Sequence, residues 1–420
     1  MSARRTRAGG AQSATMTRTR RAGLLAAALL ALVSAGAPAL SATPSGPSAA
    51  HPQRACAPTP EAPGGRAAEV ARIVRKARAD LGLNAVLAKA TVHGRDVATT
   101  AVGESMTGVP ATTDMHVRSG GVAIPYLTGV LLQLVDEGRV DLDAPVARWL
   151  PRLPHGDRIT LRMLGSSTSG LYDYVTDPGF LAALHDDPFR QWTPRELVAV
   201  STGEPLWYEP GTNWNYSHAN FVILGAALEK ITGTRLDRLL QQRVFHPLGL
   251  RETRNSFTPE MPQPVLHAFT TERGAYEEST YWNPSWTIAP GAVLTSDICD
   301  VARSAQAIGT GELLSPESYR TLLDPGTVGK GGPTATCPAT VCRAQTEDAH
   351  YGLGVVVKDG WIFQNPLFSG YGEVMAYLPA KGLAIAVATA VGPESPAGNT
   401  AQAVASRIAA ALAPGHPLFA

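Results

Sequence analysis

Pro125 stands just inside the apolar stretch that runs to Val135, and it fixes how that stretch can fold. Proline has no N–H to give to a helix interior, so it is tolerated only in a first turn. A helix over residues 123–137 that starts close to Gly121 satisfies this. Helical periodicity also marks 67–81, where Val70, Ile73, Val74 and Ala77 share a face. Two strand-like runs lie between these helices, at 85–91 and 96–102. Short helices follow at 160–164, 194–200, 219–231 and 236–244, then at 296–308 and 316–323. A long Gly/Pro/Thr loop covers 326–348. Strand runs at 352–358, 372–377 and 383–389 are β-branched or alternating, and a closing helix spans 402–412. Helix, strands, a helical insertion, strands and a last helix predict an α/β (α+β) architecture. An antiparallel sheet is flanked by helices, with an added α-helical subdomain.

With 420 residues, 44% hydrophobic, the chain can bury one large core. The expected division is a signal peptide over 1–42, a flexible linker over 43–65, one domain over 66–412 and a tail over 413–420. Within the domain, 66–140 and 290–412 form the α/β part and 141–289 the helical part. Arginines 18, 20 and 21 precede an apolar run at 24–33 and small residues at 37–42, which is the pattern of a secretory signal. Arg20-Arg21 fits twin-arginine export only loosely. The protein is therefore expected outside the cytoplasm, with no stable membrane span after cleavage. A formal charge of +1 gives no reason to expect nucleic-acid binding. The abundance of Arg, Ala, Gly and Pro reads as a GC-rich bacterial coding sequence. Four cysteines allow three disulfide patterns. Cys337 with Cys342 is favoured because the four residues between can close a small loop, leaving Cys56 with Cys299. Cys-x-x-Cys spacing is absent, so no metal site is expected.

Several phrases occur in a telling order: Leu131-Leu132-Gln133-Leu134-Val135-Asp136-Glu137-Gly138 with Asp141-Leu142-Asp143-Ala144-Pro145-Val146; Thr168-Ser169-Gly170-Leu171; Pro210-Gly211-Thr212 leading to Tyr216-Ser217; Tyr351-Gly352-Leu353-Gly354; and Ala376-Tyr377-Leu378-Pro379. Together they resemble the serine β-lactamase and D-alanyl-D-alanine carboxypeptidase family, in its class C-like branch. The resemblance implies a penicillin-binding-protein-like fold and a cleft with three motifs.

The first implied motif is Ser-x-x-Lys at a helix start, where backbone N–H groups stabilise an oxyanion and the lysine takes the serine's proton. Those positions fall on Gly121 and Ile124, which can do neither. None of the six lysines (76, 89, 230, 330, 358 and 381) follows a serine by three residues. The second motif, Tyr-x-Asn, reads Tyr216-Ser217-His218, so the tyrosine is kept and the amide becomes imidazole. Tyr281-Trp282-Asn283 has the same spacing in the wrong context. The third, His- or Lys-Thr-Gly, falls on Gln364-Asn365-Pro366, without a cation and with a proline that no central ladder accepts. Ser167 stands where relatives commonly carry histidine. Lys330-Gly331-Gly332 lies in the long loop and reads as a solvated turn, and Ser119 as a loop serine capping the helix.

Loss of the nucleophile alone typically costs about a millionfold in kcat. The resemblance therefore implies a degenerate member: a pseudoenzyme whose cleft binds a peptidoglycan-peptide-like or small-molecule ligand, without a cofactor and as a monomer. Two alternatives stay open. One is repurposed non-hydrolytic acid–base chemistry at Tyr216, with His218 and Asp173. The other is residual esterase activity through Ser119 or Ser167.

Overall fold

A computed structural model describes residues 56–419. The expected signal segment and the first part of the linker lie outside the described residues. Helix α1 (Arg66–Asp80) leads into β1 (Ala85–Val92) and β2 (Arg95–Met106), then the short β3 (Val109–Pro110), β4 (Val117–Arg118) and helix α2 (Ala123–Asp136). The helical part holds α3 (Leu161–Ser166), α4 (Pro178–Asp186), α5 (Pro194–Gly203), α6 (His218–Thr232), α7 (Leu236–Leu240) and α8 (His246–Leu248). Short strands β5 (Arg254–Asn255), β6 (Phe269–Thr270), β7 (Glu277–Glu278) and β8 (Leu294–Ser296) return the chain to α9 (Ile298–Thr310) and α10 (Pro316–Leu323). The closing set is β9 (Ala349–Tyr351), β10 (Val356–Lys358), β11 (Trp361–Gln364), β12 (Leu367–Phe368), β13 (Tyr371–Leu378), β14 (Leu383–Ala390) and α11 (Thr400–Leu412).

A nine-stranded sheet runs β3-β2-β1-β14-β13-β11-β10-β9, with β12 paired to β13, and its pairings are antiparallel. β13 and β14 are buried along their whole length because both sheet faces are covered. On one face Val70, Val74 and Ala77 of α1 and Val404, Ala405 and Ile408 of α11 meet Val86, Val374, Ile385 and Val387. On the other, Leu87, Met375 and Ala386 meet the layer of α2 and α9, including Leu127, Leu131, Val301 and Ala305. This layering is the expected α/β (α+β) arrangement. Helix α2 lies inside the protein, with Ala123 through Leu132 buried except Gly129. Pro125 sits in its first turn, as its missing N–H requires.

Several expectations need correction. The 352–358 strand is a hairpin: residues 352–355 turn between β9 and β10. Gly354 has φ +81°, and a Cβ on Gly352 would lie 2.3 Å from the Leu322 carbonyl, so both positions demand glycine. Helix α4 was not foreseen, although Asp177 caps it and Pro178 opens it. Over residues 56–65 the expected flexible linker is tied to the body. Cys56 is bonded to Cys299, Thr59 N–H donates to the Thr99 carbonyl at 2.9 Å, and Glu61 pairs with Arg75. The tail is also held: Leu418 is buried, and the Phe419 and Phe363 ring centroids are 4.8 Å apart. The second disulfide joins Cys337 to Cys342, matching the favoured pairing. Asp297 approaches the Cys56–Cys299 bond closely, but the sulfurs there are joined to each other and offer no thiolate.

Candidate functional site

Helix α2 begins behind a Gly120-Gly121 turn, where the Ile124 N–H donates to the Gly121 carbonyl at 3.0 Å. Gly121 is half-buried and its φ lies outside the left-handed region, so the backbone does not demand glycine there. A Cβ at this position would have Pro366 Cβ at 3.4 Å, Gln364 Oε1 at 3.6 Å and Ile124 Cδ1 at 3.9 Å. Those are ordinary contacts. Positions 121, 124, 364 and 366, expected to share one place, are thus brought together, and what fills it is apolar or neutral. Ile124 is 2% exposed, so a side chain at 124 is enclosed. The Gln364 amide donates to the Gly354 carbonyl at 2.7 Å.

Pro366 occupies the break between β11 and β12, which resolves its conflict with a central ladder. The Pro366 carbonyl accepts the Glu373 N–H at 3.0 Å, and one side chain ties the break to β13. Asn399 Nδ2 lies 2.9 Å from the Asn365 and Pro366 carbonyls and 3.0 Å from that of Glu373. Asn399 also caps α11. Sequence reading missed it, although an Asn before a helical run is a recognisable cap signal.

Tyr216 and His218 sit where the chain enters α6. Ser217, formally at the cap position, donates instead to the Tyr172 carbonyl at 3.0 Å. Asp173 takes over the cap, accepting the His218 backbone N–H at 3.1 Å, and both its oxygens lie 3.1 Å from His218 Nδ1. Burial among aromatic rings holds the Tyr216 phenol well above its ordinary pKa, with Tyr351, Asp173 and Tyr174 adding to the shift. It therefore stays protonated and cannot serve as a base. Ring contacts run from Tyr351 to Tyr216 (6.1 Å), to His218 (5.0 Å), to Trp286 (6.4 Å) and to Phe368 (5.8 Å). That wall joins the Tyr216 side to the strand that follows Pro366.

The two serines considered as substitutes are both fully buried. Ser119 does not cap α2, whose cap position is Val122 without a side-chain bond. Its Oγ donates to Glu373 Oε1 at 3.0 Å across 254 residues of sequence. Burial pushes the Glu373 carboxyl up to about 8, partly offset by that hydrogen bond. Ser167 closes α3 in the left-handed region at φ +58°, and among the described residues its Oγ has no hydrogen-bond partner. Lys330 is not a solvated turn: its Nζ donates to the Gly211 carbonyl at 2.8 Å and pins the long loop beside the segment leading to Tyr216. Asn283 of the dismissed Tyr-x-Asn repeat bonds Gln191 Oε1 at 3.0 Å, a structural tie.

Residues 70–408 match the Beta-lactamase family. Penicillin-binding protein 4 of Amycolatopsis lactamdurans is 31% identical over 212 residues, covering 48% of this chain and 52% of that one. Esterase EstB of Burkholderia gladioli is 32% identical over 158 residues, 34% of this chain and 40% of that one. This chain spans about half the length of the penicillin-binding relatives it matches. Among solved structures, a D-stereospecific amidohydrolase from Streptomyces superposes with a TM-score of 0.68 at 26% identity, covering 83% of this chain and 99% of the other. D-amino acid amidase from Ochrobactrum anthropi, complexed with D-phenylalanine, superposes at 0.69 with 20% identity, covering 83% and 100%, and so shares the fold. The family match covers both the sheet and the helical part, and this chain is a member of the beta-lactamase family.

Proposed function

We propose that this protein is inactive as a serine acyl-transferase and uses its cleft to bind a ligand without a covalent bond, outside the cytoplasm. One observation carries the reading: the point where a Cβ of residue 121 would project is fronted by Pro366, Gln364 and Ile124. None of these can attack a carbonyl or take a proton from a group that does. The alternatives weaken on the same ground. Ser119 and Ser167 are enclosed, and the Tyr216 phenol is held protonated. Two disulfides agree with an oxidising compartment. Among the described residues no helix is long and apolar enough to cross a membrane.

The proposed ligand class is supported by relatives whose names speak of penicillin and of D-stereospecific hydrolysis of amides. A peptide ending in a D-amino acid, of the kind found in peptidoglycan stems, is the proposed occupant. Titration calorimetry with N-acetyl-D-Ala-D-Ala and its L,L isomer tests this. Binding of the D,D form, weakened at least tenfold by Gly121→Phe with the fold intact, is expected. Equal binding of both isomers, or indifference to Gly121→Phe, would overturn the assignment.

A further inference from the structure

The imidazole that replaces the family's amide is built differently from a simple cap. A cap needs one carboxylate oxygen on a backbone N–H, and Asp173 Oδ1 supplies that at 3.1 Å from His218 N. Yet both oxygens also lie 3.1 Å from Nδ1. The carboxylate is nearly enclosed and the imidazole less so, with side chains 11% and 23% exposed. With Nδ1–H turned to the carboxylate, the neutral ring keeps its lone pair on Nε2. Among the described residues no hydrogen bond occupies Nε2. Tyr216 at 5.0 Å and Trp286 at 6.4 Å between ring centroids restrict the ring, and the same wall reaches Phe368, two residues beyond Pro366. An oriented carboxylate–imidazole pair on the aromatic wall that leads to the emptied Gly121 and Pro366 site is an arrangement for activating water.

We propose that His218 is a general base, positioned by Asp173, which hydrolyses small acyl esters in this cleft by direct attack of water. The proposal rests on the cleft being the ligand site. The water oxygen bonds to the ester carbonyl carbon while its proton passes to His218 Nε2 and the carbonyl electron pair moves to oxygen. The intermediate then collapses, the bond to the leaving oxygen breaks, and the imidazolium returns its proton to that oxygen. Acid and alcohol leave, and one water is consumed. The magnitude selects esters over amides. A positioned base contributes about 10²–10⁴-fold, which suffices for an ester but not for an amide with a far poorer leaving group.

The test follows p-nitrophenyl acetate and the p-nitrophenyl ester of N-acetyl-D-phenylalanine with wild type, His218→Asn, Asp173→Asn and Ser119→Ala. Melting temperatures and calorimetric binding of N-acetyl-D-phenylalanine amide are read on the same samples. Expected are turnover above an equimolar imidazole control, no acyl-protein in the mass spectrum, and a kcat at least 100-fold lower in His218→Asn with KM within threefold. Asp173→Asn should lower kcat at least tenfold and shift the alkaline-rising limb of the pH profile, which a merely structural cap would not do. Ser119→Ala should leave turnover unchanged. Wild-type turnover no faster than imidazole overturns the proposal, as does undiminished turnover in folded His218→Asn. Retained amide binding in either case leaves the binding reading standing, whereas turnover without amide binding contradicts that reading alone.

Discussion

Rebuilding the first motif tests the reading of the emptied site most sharply. Gly121→Ser adds a Cβ whose nearest neighbours lie at 3.4–3.9 Å, with no left-handed φ to relieve. It should change stability by less than about 1 kcal/mol, with a gain from reduced freedom of the unfolded chain. Ile124→Lys is different, because position 124 is 2% exposed. It forfeits about 2 kcal/mol of apolar burial and places an amine near one neutral acceptor, Gln364 Oε1. Counting the cost of burying a polar group, the total is about 3–5 kcal/mol. For a domain of this size that lowers Tm by roughly 4–7 °C. Differential scanning calorimetry reads the stability, and intact mass after incubation with a fluorescent penicillin reads acylation. The single serine variant should be stable and unacylated; the double variant should be less stable and acylate slowly. Adding Gln364→Lys and Pro366→Gly should quicken it. A fall of more than about 2 kcal/mol in Gly121→Ser would refute the geometric argument, and rapid acylation of that single variant would refute the role given to position 124.

Other consequences concern the support of the site. Glu373, raised to about 8 by burial, holds its proton in the folded state where the unfolded carboxyl has lost it. Its contribution is therefore complete below the unfolded value of 4.5 and is lost as pH rises through about 8. Replacing it by Gln should flatten that decline and gain on the order of 4 kcal/mol at pH 9 relative to pH 5, read by urea denaturation at both pH values; an unchanged slope would disprove it. Asp297 and Asp300, both raised to about 6 by burial, act in the same direction between the ordinary carboxylate range and pH 6. Asn399→Ala removes a shared donor from the carbonyls of Asn365, Pro366 and Glu373, of which Pro366 keeps the Glu373 N–H, and should cost about 1–2 kcal/mol, with faster amide exchange around residues 364–368. A cost below about 0.5 kcal/mol would show that water replaces it.

The sequence carried the frame wherever one segment decides its own conformation. Pro125 placed the start of α2 to within a turn, and the β-branched or alternating runs at 372–377 and 383–389 are the strands β13 and β14. It misled at 352–358, where β-branched Val355, Val356 and Val357 suggested one strand although Gly352 and Gly354 turn the chain. The family resemblance located Gly121, Ile124, Gln364 and Pro366, and the fold brings them together. The contacts of the long-range polar pairs were less legible. Asp173 was named beside His218 as an acid–base group but without their contact across 45 residues, and Ser119 with Glu373, separated by 254, depends on tertiary packing and leaves no periodic trace. Ser119 illustrates the difference: local propensity favours a helix cap, but a buried carboxyl on the sheet offers a partner that propensity does not register.

On the proposed function, no side chain here forms a covalent bond with a family ligand. Intact-protein mass spectrometry after incubation with a fluorescent penicillin and an activated D-Ala-D-Ala thioester tests it directly, with melting temperature followed on the same samples. Unmodified mass together with a ligand-dependent rise in Tm is expected. A stable adduct, mapped by peptide digestion to any serine, would contradict it.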